Sequence, residues 1–303
     1  MSNVDTSTDK PTVAFLGLGN MGGPMAANLA GAGHAVRGFD PVPAAQDAAR
    51  EAGVTVCGSP AEAVRGAAVV ITMLPNGDLV KSTYAEVLDS AEAGTLFIDS
   101  STISVDDARE VHERAVSAGM LQVDAPVSGG VKGATAGTLA FMVGGEPEAF
   151  AAAEPVLEPM AGKVIHCGAA GAGQAAKVCN NMVLAVHQIA IGEAFVLAER
   201  LGLEHQALFD VVTGATGNSW ALHTNCPVPG PVPTSPANNE FKPGFATALM
   251  NKDLGLALSA LESTGTVAPL GAAAAALYDE FAQDHGDKDF SAIITSIRDS
   301  ARG

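Results

Sequence analysis

Residues 12–22, TVAFLGLGNMG, decide how this chain folds. The first five residues predict a short buried strand, and the glycines that follow have the spacing G-x-G-x-x-G, which joins a strand to a helix in dinucleotide-binding folds. In this motif Gly17 allows a tight turn, Gly19 lets a pyrophosphate approach the backbone, and Gly22 lets the helix pack on the strand. Free N–H groups at the positive end of the helix then favour the phosphates. The stretch therefore predicts the first strand–helix unit of a dinucleotide-binding domain.

A second predicted strand, 35–40, ends in a carboxylate that bears on the choice of cofactor. Asp40 lies 18 residues beyond Gly22, where dinucleotide-binding folds place an acidic residue against the adenosine ribose hydroxyls. A carboxylate at this position also repels the 2′-phosphate of NADP. We therefore predict NAD as the cofactor and assign the loop residues Asn20 and Met21 to the same site.

Apolar runs alternate with helical segments through the first half of the chain, and several runs are continuous in Val, Ile, Leu and Phe, as strands buried on both faces are. After Gly168 the strand pattern stops and long helical segments follow. We predict an α/β Rossmann-type doubly wound sheet followed by an all-α C-terminal domain. The predicted strands are 12–17, 35–40, 54–56, 68–73, 95–99, 121–124, 139–143 and 163–166. The predicted helices include 21–32, 60–66, 104–118, 147–158, 171–200, 204–213, 245–263, 269–283 and 289–300.

The same pattern predicts three divisions of the chain. We expect a disordered or loose N-terminal tail over 1–11, an NAD-binding Rossmann-like domain over 12–168, and a helical substrate and oligomerisation domain over 169–303. The proline-rich segment 225–244 is expected to be an ordered loop or a linker.

The composition narrows the class of protein and of partner. Hydrophobic residues make up 48% of the 303 residues, which excludes a disordered chain, and the formal net charge of −17 disfavours nucleic acid and anionic membrane surfaces as partners. The N-terminal residues lack the features of a secretory signal or a transit peptide, and no uncharged apolar run reaches the roughly 18 residues of a membrane span. The four cysteines lack metal-ligand spacing, which predicts buried reduced thiols, no metal site and a cytoplasmic protein. The expected ligand is a small molecule.

Turn residues follow two predicted strands at the carboxyl edge of the sheet, where such folds bind their ligands. Leu74 and Pro75 come after the strand at 68–73, and Thr102 ends the serine-rich segment after the strand at 95–99. For Leu74 and Pro75, a cofactor contact and an ordinary strand-end turn are equally good interpretations. We assign Thr102 to the site.

Other residues have features that suit a small acid substrate. Ser128, Gly129 and Gly130 lie in a turn whose backbone N–H groups and hydroxyl can hold an anion, although a mobile surface loop is an alternative. Trp220 and Phe245 can line an apolar pocket for a substrate methyl group, and packing in the core explains them equally well.

A lysine stands at the entrance of the apolar run in the predicted helix 171–200. Oxidation of an alcohol by a nicotinamide needs a group that accepts the hydroxyl proton, and none of the seven histidines lies in a suitable place. Lys177 and Asn181 share one helix face by their four-residue spacing. Burial favours the neutral form of an amine, which can accept a proton. We therefore predict Lys177 as the general acid/base, with Asn181 holding the amine or the substrate oxygen, against the alternative of an exposed lysine at a frayed helix start.

These motifs together resemble the β-hydroxyacid dehydrogenase family, which is related to 6-phosphogluconate dehydrogenase, over nearly the whole chain after the N-terminal tail. The resemblance implies NAD-dependent oxidation of 3-hydroxyisobutyrate to methylmalonate semialdehyde, a step of valine breakdown. It also implies that Lys177 is the catalytic lysine, that the turn at 128–130 binds the substrate carboxylate, and that Thr102 and Lys252 contact the cofactor near the nicotinamide. The stretches that carry it are GLGNMGGPMAANL, ITMLP, IDSSTI, DAPVSGGVKGATAGTLAFMVGG, CGAAGAGQAAKVCNNM, PVPGPVPTSPANN, GFATALMNKDLGLA and KDFSAI.

The resemblance has one departure and leaves alternatives open. The family commonly has a tyrosine and an asparagine before PVPG, where this chain has Asn225 and Cys226, so fine specificity is in question. A tartronate or succinic semialdehyde reductase of the same family is one alternative function, and a non-catalytic NAD-binding module is another. Loss of the lysine is expected of such a module, and Lys177 is present. The family is generally dimeric or tetrameric, which implies a homodimer or homotetramer.

Overall fold

The computed structural model describes residues 10–300. Within them the chain forms two compact units that divide between Lys177 and Val178, inside one long helix. The tail predicted at 1–11 lies almost entirely outside the described residues, which begin at Lys10. The predicted domain boundary at Gly168 precedes the long helix and stays a prediction.

The first unit alternates strands and helices, as the sequence pattern predicts. The strands are β1 (Val13–Leu16), β2 (Val36–Phe39), β3 (Thr55–Val56), β4 (Val69–Thr72), β5 (Leu96–Asp99), β6 (Leu121–Asp124), β7 (Val127–Ser128), β8 (Leu139–Gly144) and β9 (Ala161–Gly168). The helices are α1 (Gly22–Gly31), α2 (Pro43–Glu51), α3 (Pro60–Val64), α4 (Gly77–Val87), α5 (Val105–Ser117), α6 (Gly130–Ala136) and α7 (Pro147–Leu157).

These strands form one sheet in the order β3-β2-β1-β4-β5-β6-β8-β7, with β9 paired to β8. The pairings from β3 through β6 are all parallel. β8 runs antiparallel to β6 and β7 and parallel to β9, which the sequence did not predict. The chain order reverses between β1 and β4, and doubly wound folds bind their ligands at the carboxyl edge of that switch point. The predicted Rossmann-type fold class is confirmed.

The central strands β1, β4 and β5 are buried on both faces, and their side chains alternate between two cores. In β1, Val13 and Phe15 pack into one core while Ala14 and Leu16 pack into the other. The first core also receives buried side chains from α1, α2, α6 and α7, and the second receives them from α3, α4 and α5. This two-sided burial explains why the strands are continuous apolar runs in the sequence.

Side-chain caps fix where three helices begin after their strands. The side-chain oxygens of Ser59, Asn76 and Ser104 accept hydrogen bonds from N–H groups in the first turns of α3, α4 and α5. Such caps satisfy donors that have no partner inside the helix. Two of them, Asn76 and Ser104, thereby set the lengths of the loops that follow β4 and β5 at the ligand-binding edge.

The second unit is helical, as predicted. Its core is formed mainly by α8, α11 and α12, where Ala185, Leu254 and Tyr278 are buried. The proline-rich segment is ordered and contains a 3₁₀ turn at Pro236–Asn238. The helices that begin or lie in this part of the chain are α8 (Ala172–Arg200), α9 (His205–Thr213), α10 (Trp220–His223), α11 (Thr247–Thr264), α12 (Pro269–His285) and α13 (Ile293–Ser300).

By length and composition alone, α8 could cross a membrane. Half of its most apolar 18-residue stretch is buried inside the protein, and core helices of soluble proteins can have the same length and hydrophobicity. The helix also carries buried polar side chains, among them Lys177, Asn181 and Gln188. Such side chains are costly in lipid and suit a helix packed inside a protein.

Candidate active site

The glycine loop between β1 and α1 requires glycine at two motif positions. Gly17 has a φ of +96°, and a Cβ there would lie 2.3 Å from the carbonyl oxygen of Met73. A Cβ on Gly22 would lie 1.9 Å from the carbonyl oxygen of Gly17. Strand, loop and helix therefore approach one another too closely for a side chain at either position.

Gly19 stands in a different environment. A Cβ there would meet no atom within 4 Å, and both Gly19 and Asn20 are exposed, whereas Met21 is half-buried against the core. The first turn of α1 holds no acidic residue and no side-chain cap. Free N–H groups and the helix dipole favour an anion at such a helix start. The residues present therefore fit the pyrophosphate of a dinucleotide.

Asp40 follows β2 and is 7% exposed. Its Oδ2 accepts a hydrogen bond from the Leu18 N–H at 2.8 Å, and its Oδ1 accepts one from the Val42 N–H at 2.8 Å. The carboxylate thus ties the glycine loop to the start of α2, a role that the sequence did not predict. A carboxylate accepts about four hydrogen bonds, so acceptor capacity remains for ribose hydroxyls.

A buried carboxylate organises the carboxyl edge of β4 and β5. The Oδ1 atom of Asp99 accepts hydrogen bonds from the Thr72 hydroxyl at 2.7 Å and from the Ser101 N–H at 3.1 Å. Burial raises the pKa of the Asp99 carboxyl from 3.8 to about 6, against the opposing effect of these hydrogen bonds. Asp99 is 1% exposed, and its hydrogen bonds join the end of β4 to the loop that follows β5.

Ser101 joins the two loops that contain predicted cofactor contacts. Its hydroxyl accepts a hydrogen bond from the Leu74 N–H at 2.8 Å, and its carbonyl oxygen accepts one from the Gln174 side chain at 2.8 Å. Leu74 and Thr102 are half-buried, and Pro75 is exposed. The loops after β4 and β5 therefore lie next to each other and next to the first turn of α8.

The predicted anion-binding turn lies between a strand and a helix. Ser128 ends β7 and pairs with Ala140 of β8, so it is not part of an irregular loop. Gly129 has a φ of +134° and Gly130, with a φ of +60°, begins α6. Gly129 is exposed and Ser128 is half-buried. The backbone N–H groups of this turn and the Ser128 hydroxyl have the chemistry that a carboxylate needs.

Lys177 lies in the second turn of α8 and is 6% exposed, so the alternative of an exposed lysine does not hold. Asn181 follows one turn later on the same helix and is 2% exposed. Between them, Cys179 and Asn180 are exposed, and for Cys179 the expectation of a buried thiol is wrong. The helix therefore buries the face that carries Lys177 and Asn181, as their spacing predicts.

Asn181 is held by a carboxylate that the sequence does not predict. Its Nδ2 donates a hydrogen bond to Oδ2 of the buried Asp253 on α11 at 2.5 Å. Asn180, which the sequence left without a role, donates to the Asn181 Oδ1 at 2.9 Å. The only indication of Asp253 in the sequence is that it follows Lys252. Its contact with Asn181 joins residues 72 positions apart, which no local pattern predicts.

The remaining predicted residues lie in the helical unit. Lys252 is half-buried on α11. Trp220 begins α10 and is 53% exposed, so packing in the core does not describe it. Phe245 is half-buried, with its ring 5.8 Å from that of Phe290. The predicted residues thus fall into two groups, one in each unit, and α8 carries members of both.

Comparison with known proteins agrees along the whole described chain. The NAD binding domain of 6-phosphogluconate dehydrogenase matches residues 12–168, and the NAD-binding domain of NADP-dependent 3-hydroxyisobutyrate dehydrogenase matches residues 171–297. A probable 3-hydroxyisobutyrate dehydrogenase of Mycobacterium tuberculosis is 71% identical over 287 residues, which are 95% of this chain and 98% of that protein. The chain belongs to the 3-hydroxyisobutyrate dehydrogenase family.

Two further relatives from this family of NAD(P)-dependent oxidoreductases bear on the range of substrates. A solved structure of Mycobacterium tuberculosis 3-hydroxyisobutyrate dehydrogenase with L-serine has a TM-score of 0.93 and 71% identity, covering 95% of this chain and 99% of that one. An NAD-dependent L-serine dehydrogenase of Pseudomonas aeruginosa is 42% identical over 96% of this chain and 99% of that protein. The substrate range of the family therefore extends beyond one hydroxyacid.

The departure from the 3-hydroxyisobutyrate dehydrogenase pattern falls at two buried positions of the helical unit. Asn225 is 6% exposed and donates a hydrogen bond to Oδ1 of Asp289 at 3.0 Å. Cys226 is fully buried, and its carbonyl oxygen accepts a hydrogen bond from the Ser235 hydroxyl. Asp289 also accepts hydrogen bonds from the N–H groups of Gly244 and Phe245. Asn225 therefore anchors the segment before PVPG to the backbone that carries Phe245.

Proposed function

We propose that this protein oxidises 3-hydroxyisobutyrate to methylmalonate semialdehyde with NAD, with Lys177 as the general acid/base. The observation that carries the proposal is the buried amine of Lys177 on a helix whose first turn is hydrogen-bonded to the loop beside Thr102. The 71% identity to a probable 3-hydroxyisobutyrate dehydrogenase supports the choice of substrate.

The proposed chemistry assigns separate roles to the cofactor, to Lys177 and to Asn181. When bound, the nicotinamide of the cofactor accepts a hydride from the alcohol carbon. Lys177, as the neutral amine, accepts the hydroxyl proton at Nζ. The Asn181 amide, whose Nδ2 is engaged by Asp253, orients the amine or the substrate oxygen through its carbonyl oxygen. The same lysine, once protonated, returns the proton when the reaction runs as a reduction.

We assign the other predicted residues to binding. The glycine loop at 17–22 holds the pyrophosphate, and Leu74, Pro75 and Thr102 contact the cofactor at the sheet edge. The turn at 128–130 binds the substrate carboxylate through its N–H groups and the Ser128 hydroxyl. We assign Lys252 to a cofactor contact, and Trp220 and Phe245 to contacts with the substrate methyl group.

The preference for NAD over NADP is supported by charge at the ribose position. Asp40 is fixed by two backbone N–H groups and so cannot easily turn away from a 2′-phosphate. The first turn of α2, Pro-Ala-Ala-Gln from residue 43, offers no lysine or arginine to pair with such a phosphate. A dianionic group next to Asp40 is therefore unfavourable.

The test is a steady-state assay of nicotinamide reduction over a panel of acids with both cofactors. We expect the highest kcat/KM with 3-hydroxyisobutyrate and NAD, and a value for L-serine that is lower by about tenfold or more, since a pocket for the methyl group leaves the serine ammonium unpaired. Glycerate and 4-hydroxybutyrate, the alcohols that correspond to tartronate semialdehyde and succinic semialdehyde, test the alternative within the family in the same direction. A higher kcat/KM for either of these, or equal use of NADP, would overturn the corresponding part of the proposal.

We further propose a cytoplasmic homodimer or homotetramer. The helical unit exposes large apolar side chains, among them Leu201 at 75% and Val267 at 89% exposure. Exposed apolar surface of this kind favours association with another copy. Light scattering coupled to size-exclusion chromatography is expected to give two or four times the 30.4 kDa mass of the chain.

A further inference from the structure

We propose that Asp124 and Gln174 are positioning residues, which hold the first turn of α8 and thereby fix Lys177 relative to the loop that contains Thr102. The inference rests on the proposed function, because its purpose is to place the amine that exchanges the proton. Neither residue belongs to the predicted catalytic or binding set. Both are fully buried, and all of their hydrogen bonds described here lie within the first unit.

Asp124, the last residue of β6, caps a helix that begins 48 residues later in the chain. Its Oδ1 accepts a hydrogen bond from the Gly171 N–H at 2.7 Å, and its Oδ2 accepts one from the Gln174 N–H at 2.8 Å. The carboxylate thus satisfies two donors that have no partner inside the helix and places a negative charge at the positive end of the helix dipole. Both oxygens act on the one turn that precedes Lys177.

Burial raises the pKa of the Asp124 carboxyl, while the hydrogen bonds from Gln174 and Gly171 lower it. A buried carboxylate of this kind is unfavourable by itself and is compensated only while the helix start stays in place. Its contacts therefore resist displacement of the first turn of α8.

Two glycines allow this close approach of helix and sheet. A Cβ on Gly144 would lie 2.5 Å from the Asp124 Oδ1 and 2.7 Å from the Gly173 N–H nitrogen. A Cβ on Gly173 would lie 2.3 Å from the carbonyl oxygen of Met142 and 2.8 Å from the Asp124 Oδ2. The start of α8 is therefore packed directly against backbone at the ends of β6 and β8, which leaves no room for it to shift.

Gln174 links the same turn to the cofactor loop on both sides of Thr102. Its Nε2 donates a hydrogen bond to the Ser101 carbonyl oxygen at 2.8 Å, and its Oε1 accepts one from the Ile103 N–H at 3.2 Å. Gln174 precedes Lys177 by three residues, so the two side chains lie on one helix face. The amide thus sets the distance between the lysine-bearing turn and the loop proposed to contact the nicotinamide.

The distance between Lys177 and the Thr102 loop matters because the hydride leaves the alcohol carbon and the proton leaves the hydroxyl oxygen bonded to that carbon, so both acceptors must be in place. A displacement of about 1 Å in such a site can lower the rate by about 10²-fold. We call the hydrogen bonds of Asp124 and Gln174 at the start of α8 the clamp. If the clamp served stability alone, its loss would lower the unfolding temperature and leave kcat unchanged below that temperature.

The decisive variant is Gln174→Met, with Gln188→Met as the matched control. Gln188 is also fully buried on α8, and its side chain donates to the Asn225 carbonyl oxygen at 3.4 Å, away from the Thr102 loop. We expect Gln174→Met to lower kcat by about 10- to 100-fold, with the KM for NAD changed less than about threefold. Gln188→Met should lower the unfolding temperature and leave kcat within about twofold. A kcat within twofold of the native value for Gln174→Met, or equal losses in both variants, would overturn the inference.

A double variant separates this inference from the proposed function. If Gln174 acts through Lys177, Gln174→Met combined with Lys177→Ala should be no slower than Lys177→Ala alone, whereas independent effects would multiply. Near-native turnover of Lys177→Ala would instead contradict the catalytic role of the lysine, regardless of the kcat measured for Gln174→Met.

Hydrogen exchange tests the clamp without any substrate. Asp124→Asn should speed exchange at one or both of the Gly171 and Gln174 amides by about tenfold or more, because the asparagine side chain keeps only one acceptor oxygen for these two donors. Exchange rates equal to those of the native protein would show that Asp124 does not hold the helix start, even if the enzyme proves to act on another acid.

Discussion

The glycine loop and the head of α8 are both fixed by close backbone packing, but their partners come from different distances along the chain. Gly22 is constrained by Phe15 and Gly17 of its own strand and loop, whereas Gly17 is constrained by Met73 and Leu74, which follow the neighbouring strand β4. The first turn of α8 is held by Asp124 and by the segment around Thr102, which lie 47 to 73 residues away. The glycine loop is therefore mostly a local motif, whereas the start of α8 depends on contacts that exist only once the sheet has formed.

This difference separates binding from chemistry in the proposed site. The local motif presents N–H groups, whose positions follow from strand and helix geometry alone. The lysine needs a set distance from groups on other strands, and only tertiary contacts supply it. Variants in the two regions should therefore fail in different ways, with loss of fold or cofactor affinity in the first and loss of turnover in the second.

The largest effect is expected at Lys177. Lys177→Ala removes the proposed proton acceptor, and general acid/base groups contribute about 10²- to 10⁴-fold, so we expect kcat to fall by about 10³-fold. Binding of NAD, followed by calorimetry, should stay within about threefold of the native affinity, because the cofactor contacts lie in other loops. Lys163→Ala, at an exposed lysine on β9, is the control and should leave both quantities unchanged.

The glycine loop offers a paired test of the local motif. Gly22→Ala places a methyl group 1.9 Å from the Gly17 carbonyl oxygen and should lower the free energy of unfolding by about 3 kcal/mol or more. Gly19→Ala meets no protein atom within 4 Å, so the fold should be unchanged while NAD affinity falls by about tenfold. Denaturant unfolding and NAD titration of both variants measure this. Equal stability of the two variants would contradict the steric account of the motif.

The sequence predicts the local region almost completely and the distant one only in outline. The strand, the three glycines and Asp40 form a pattern within about 30 residues, so fold class and cofactor type follow from it. Helical spacing also places Lys177 and Asn181 on one buried face. Two partners of this helix, Asp124 at its first turn and Asp253 beside Asn181, follow from no spacing rule, because they depend on which elements meet in three dimensions. For the same reason the sequence predicts the strand at 139–143 but not its antiparallel direction.

Asp99 extends the comparison to the carboxyl edge of β4 and β5, because its hydrogen bonds hold Thr72 and Ser101 there. Its pKa of about 6, against 3.8 when unfolded, means that the folded protein keeps a proton that the unfolded chain has lost between these values. Stability from this group is therefore fully present below pH 3.8 and is lost as the pH rises through 6, by at most about 3 kcal/mol.

Asp99→Asn removes this titration, so the variant should gain stability relative to the native protein as the pH rises from 4 to 7. Thermal unfolding across that range measures the difference between the two proteins, which we expect to change by several degrees. Asp106→Asn makes the same charge change at an exposed side chain and should leave the difference constant. A constant difference for Asp99→Asn as well would show that the carboxyl does not titrate in this window.

The smallest effect is expected at Asp40, where the local motif combines structure and specificity. Asp40→Arg is expected to narrow or reverse the preference for NAD, but it also leaves the N–H groups of Leu18 and Val42 without their acceptor. Asp40→Asn keeps the size and one acceptor oxygen while removing the charge. We expect it to shift the ratio of kcat/KM for NAD over NADP by about tenfold towards NADP, about 1.4 kcal/mol. Asp47→Asn, which removes a carboxylate that is 71% exposed on α2, is the control. If both variants shift the ratio equally, general surface charge rather than Asp40 at the ribose position sets the choice of cofactor.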